Sequence, residues 1–151
     1  MSVGIGLPLL RLLLAEAERL RQKEGPLRTD RSWEAPNFSR RKKGEPLTTD
    51  DFAREFVKLR TKKARRSYAE LLRRPEAAAA ARLLGSASDV GPADVFVSHA
   101  WKYLFADLVA AIEAFAAEHN RAEAFFWVDN LVVNQVRLSA PLLPLATQLA
   151  R

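Results

Sequence analysis

A chain of 151 residues that is 48% apolar and 28% charged has the size and mix of one soluble globular domain, long enough to bury about 70% of its unfolded surface. With no cysteine, disulfides, thiolate metal sites and thiol catalysis are excluded, and the expected compartment is intracellular and cytoplasmic. The net charge of +6 is unevenly spread: residues 1–75 hold nineteen basic and ten acidic side chains, whereas residues 76–151 hold five and eight.

The first segment, 1–24, is read as an amphipathic helix. Leu9, Leu10, Leu13, Leu14, Ala17 and Leu20 recur at helical spacing, with Glu16, Glu18, Arg19, Arg21 and Lys23 between them, and Gly25–Pro26 ends the pattern. Arg11 interrupts the apolar start, so the segment is too short for a membrane span, which needs about 20 apolar residues, and it lacks the basic n-region of a signal peptide. Residues 25–47 are rich in Pro, Gly and charge and read as a linker, with a basic cluster at Ser39–Gly44.

Residues 48–89 form a basic helical lead-in. Thr48 or Thr49 caps a helix whose first turn holds Asp50 and Asp51 and whose face carries Phe52, Phe56 and Leu59. Arg54, Lys58, Arg60, Lys62, Lys63, Arg65 and Arg66, followed by Arg73 and Arg74, make the strongest electrostatic feature of the chain. A run like this is either a solvated face or a contact for nucleic acid or an anionic lipid, whose phosphates Lys and Arg neutralise. Tyr68, Leu71 and Leu72 suggest a short helix, Glu76–Leu84 a second one ending at Gly85, and Ser86–Pro92 a turn-rich connector.

A different pattern starts near residue 90. The apolar run Val95–Val97 predicts a buried strand over 94–98, Leu104, Leu108, Ile112 and Phe115 predict a helix, and Ala124–Val128 predicts a second strand. Strand, crossover helix and strand make a parallel βαβ unit within 90–135. Parallel strands end at one edge, so Ser98, His99 and Trp101, leaving the first strand, should meet Asp129 and Asn130, leaving the second. The local alternatives are a histidine bonded nearby, an indole closing the core and a carboxylate capping the next turn. Ser98 and His99 point to opposite faces of an extended segment and cannot pair as nucleophile and base. His99 and His119 sit at opposite ends of the helix, so no shared metal is expected, and no glycine-rich phosphate loop follows the first strand. No catalytic residue and no metal ligand is assigned. Trp101 is expected to pack into the core, and His99, as a site residue, to be dispensable for stability.

The stretch Val90–Gln135, with F-V-S-H-A-W at Phe96–Trp101, W-V-D at Trp127–Asp129 and N-Q at Asn134–Gln135, resembles the TIR-like (Toll/interleukin-1 receptor-like) domains of eukaryotic microbes. Leu47–Leu72 is similar to the lead-in of that family. The resemblance implies a partial flavodoxin-like α/β sheet and a relation to domains that assemble in signalling complexes or cleave NAD. It also implies a later glutamate in a stretch like R-A-W-C-L-x-E, which this sequence lacks; residues 136–151 contain two prolines and no acidic side chain. The expectation is a C-terminally truncated, catalytically incomplete TIR-like interaction module with an irregular tail at 136–151, partnered by itself or by other TIR-like domains. The alternatives are an NAD-handling enzyme whose glutamate lies outside the chain, with NAD as ligand, and a basic binder of nucleic acid or acidic phospholipid.

Overall fold

The computed structural model describes residues 2–24 and 45–135; most of the expected linker at 25–47 and all of the expected tail at 136–151 lie outside the described residues. The chain opens with strand β1 (Val3–Gly6) before helix α1 (Leu7–Glu24), which corrects the reading of 1–24 as one helix. Pro8 sits in the first turn of α1, where its missing N–H leaves no intrahelical bond unmade. The four residues before it are claimed by the sheet. β1 pairs antiparallel with β2 (Val90–Pro92), Ile5 facing Val90, and antiparallel with β4 (Phe125–Val128), Ile5 facing Phe126.

The sheet order is β2-β1-β4-β3, with β3 (Val95–Val97) parallel to β4 and Val97 opposite Val128. The predicted βαβ unit is therefore present, joined by the long crossover helix Phe105–Glu118. The sheet around it is mixed, since two of its three pairings are antiparallel. Gly4 and Gly91 face each other across β1 and β2, and Phe125 lies over both. A Cβ on Gly91 would stand 2.4 Å from the Phe125 ring and one on Gly4 2.8 Å from the Phe125 backbone, so a larger residue must displace the ring at the first position and the strand itself at the second.

One face of the sheet forms the core. Leu9, Leu10 and Leu13 of α1 meet Ile5, Phe126 and Val128, and Phe105, Leu108 and Ile112 of the crossover helix close the same layer. Between them runs a rod made of α2 (Thr49–Asp51), a π-helical segment Phe52–Val57 and α3 (Lys58–Thr61). Residues 51–58 are all buried, and Phe52 stacks on Phe105 with ring centroids 3.9 Å apart. Two shorter helices follow, α4 (Tyr68–Leu72), capped by Ser67, and α5 (Pro75–Ala80), which Pro75 opens; the crossover helix is then α6 and Asp129–Val132 is α7. Among the described residues no helix is long and apolar enough to cross a membrane.

Candidate functional site

Because β3 and β4 are parallel, both end at one edge, and this edge is where the candidate residues gather. His99 leaves β3 and Asp129 leaves β4 so that His99 Nε2 lies 2.8 Å from Asp129 Oδ1, with the imidazole 3% exposed and the carboxylate 26% exposed. The Asp129 oxygen favours the protonated ring and raises the histidine above its ordinary value; burial opposes this, while the carboxylate charge, the Ala100 carbonyl and Asn130 add to it. The ring nitrogens face Asp129 and, at 3.4 Å, the Ala100 carbonyl oxygen.

Gln135 is buried and donates to the Asp129 carbonyl at 3.0 Å, so it steadies the backbone that presents the carboxylate. Asn134 turns the other way and donates to the Arg65 carbonyl. Ser98 is exposed, and no hydrogen bond joins it to His99 among the described residues. Trp101 is 40% exposed with its ring 6.3 Å from that of His99, which corrects the expectation of a core indole.

What holds the Trp101 loop is main chain. Thr49 Oγ1 donates to the carbonyls of Ala100 at 3.1 Å and Trp101 at 2.9 Å, Thr49 N donates to Tyr103 O, and Asp50 N donates to Trp101 O. Asn130, fully buried, returns from α7 to donate to Thr49 O at 2.7 Å. Thr48, not Thr49, caps the helix, through a reciprocal pair with Asp51. The sequence offered Thr49 only as an alternative cap and Asn130 only as a residue leaving the second strand, not as the pair that fastens this loop. The trace of the Thr49 role is the pair of threonines before α2, one more than a cap requires.

Beside this edge, a cleft of about 570 Å³ opens between β3 and α6. Val95, Val97, Leu108, Ile112, Phe115 and Phe126 form its walls, with Ser98, His99 and Tyr103 at one end. Among the described residues that line it, His99 and Tyr103 are the only ionisable side chains. That described lining offers the pyrophosphate of NAD no Lys or Arg and offers a departing nicotinamide no carboxylate, so these residues by themselves do not fit that cofactor. Among the described residues no group of three or more His, Cys, Asp or Glu is placed to hold a metal.

The expected basic patch is divided. Arg54 and Lys58 are buried, and Arg54 bridges Asp50 at 3.1 Å and Asp51 at 3.2 Å. Arg21 of α1 joins the same cluster through Glu55 at 2.9 Å. Arg60 lies over the Phe56 ring, 3.7 Å from its centroid, and donates to the Phe56 carbonyl. Lys62, Lys63, Arg65, Arg73 and Arg74 are exposed, with Arg60 and Arg66 half-buried. Enclosure of residues 51–58 takes Arg54 and Lys58 inward, where Asp50 and Asp51 pair with Arg54.

Searches against protein-family models, curated proteins and solved structures return no match to this chain.

Proposed function

We propose that the chain is a TIR-like association module, a partial flavodoxin-like unit that self-assembles through the free edge of β3. The observation that carries this reading is the state of that edge. Among the described residues β3 is the last strand of the sheet and has no neighbour on its outer side, and Phe96 at its centre is 68% exposed and stacked on Trp127 at 4.5 Å. The apolar cleft opens along the same edge, flanked by exposed Tyr103 and Phe115. An unpaired strand beside an uncovered apolar surface is a template for another strand. A second copy can supply it by antiparallel pairing about a two-fold axis, which presents the same patch from both sides.

Size-exclusion chromatography with light scattering over a range of concentrations tests the reading. The parent should shift from monomer to dimer as concentration rises, and Phe96→Lys, which puts a charge on the edge, should remain monomeric while losing only a few degrees in melting temperature with the Trp127 stack. A parent that stays monomeric at every concentration overturns it.

A further inference from the structure

Four of the cations left outside the buried cluster share one turn. Lys62, Lys63, Arg65 and Arg66 fall between α3 and α4, and none of them is ion-paired among the described residues. Arg65 has φ of 53°, the left-handed region that glycine and asparagine fill at helix ends and that costs other residues about 1 kcal/mol. Arg82 and Asn120 share that φ at the ends of other helices, so the conformation sets the direction of the turn, and glycine would adopt it without cost. The turn is also tied down, because its Arg65 carbonyl accepts the Asn134 side chain arriving from beyond α7.

Between the turn, α4 and residues 132–134 lies a second cleft of about 470 Å³, with Arg65 and Arg66 on one wall and Val132, Val133 and Asn134 on the other. Its one carboxylate, Glu70, is engaged by the Ser67 backbone N–H at 2.8 Å. Two guanidiniums on one wall, with two lysines in the same turn, suit a compact anion carrying several phosphates, which arginine contacts bidentately. Nucleic acid suits it less well. The cations occupy one turn rather than a stripe, and none of the exposed aromatics, Phe96, Trp101, Tyr103 or Phe115, lines this cleft to stack a base.

We propose that the cleft between the 62–66 turn and residues 132–134 binds clustered phosphomonoesters, carried either by a soluble inositol phosphate or by a phosphoinositide headgroup. This inference is independent of the β3 edge. The full chain is titrated calorimetrically with inositol hexakisphosphate and co-sedimented with phosphatidylcholine vesicles with and without phosphatidylinositol bisphosphate. Binding to the soluble probe assigns the first source; binding only to the doped vesicles assigns the second. Arg65→Gly with Arg66→Gln should weaken binding roughly 25-fold, about fivefold per cation, and the glycine relieves the positive φ, so the fold should survive. Arg66→Gln alone should give about fivefold. Arg73→Gln with Arg74→Gln removes the same charge outside the cleft and should stay within about twofold. The proposal fails if neither probe binds at low salt, if the two double variants lose affinity equally, or if duplex DNA displaces the probe at equal phosphate concentration.

Discussion

Replacing Asp129 by asparagine isolates the contact at the centre of the candidate site. The carboxylate accepts from a side chain that is almost fully buried, and a hydrogen bond with a charged partner is worth about 1.5–3 kcal/mol. For a chain of 151 residues that corresponds to roughly 3–12 °C in melting temperature. The raised value of His99 gives the effect a pH signature. A histidine raised on folding contributes stability that is fully present below its unfolded value near 6.5 and is lost as pH rises through the folded value. The gap between parent and Asp129→Asn should therefore be widest at about pH 5.5–6 and narrow as pH rises. A remainder of about 1 kcal/mol should persist at alkaline pH, because the neutral ring can still donate from Nε2. Melts followed by circular dichroism in steps of pH measure the gap directly. A gap that is flat or that widens with pH would refute the assignment of Asp129 as the cause of the shift. The same contact reverses the expectation that His99 is dispensable: His99→Ala should be destabilised throughout this range.

Two further substitutions test how the surroundings are held. Trp101→Ala should cost about 1 kcal/mol, far below the roughly 3–5 kcal/mol of a core aromatic, since the indole is 40% exposed and the loop is fastened by backbone atoms that alanine keeps; chemical denaturation giving more than about 3 kcal/mol would contradict this. Tyr68→Phe should lose about 2–4 kcal/mol, because its buried hydroxyl both donates to Leu84 O at 3.1 Å and accepts from Leu84 N at 2.9 Å, leaving two backbone groups unpaired. Burial pushes that phenol up to about 12, so the loss should not vary with pH between 6 and 9, and a pH-dependent loss would show a different cause.

The parts of the fold set by local pattern were legible. The apolar runs at 95–97 and 125–128 and the period of 105–118 produced the βαβ unit, and the rule that parallel strands end together brought His99 to Asp129. What local pattern could not reveal was decided by distant partners. Val3–Gly6 carries two glycines ahead of a leucine-rich helix, and its identity as a strand comes from Val90 and Phe126, far along the chain. Val90–Pro92 reads as a turn for the same reason, since its role depends on Gly91 facing Gly4 beneath Phe125. Arg54 and Lys58 looked like surface charge because nothing nearby in sequence announces that the rod would be enclosed, or that Arg21 would meet Glu55 across the core.

The position of β1 between β2 and β4 has a consequence for how the protein is made. Ile5 emerges from the ribosome first among the core residues, yet its partner Phe126 follows after about 120 further residues, or roughly 6–24 s at ordinary rates of synthesis. Until Val90 follows, β1 has neither neighbour, and from then until Phe126 it can pair with β2 alone. The sheet cannot close in chain order: β1 and β2 can meet first, but β3 has no partner until β4, the last strand, arrives between it and β1.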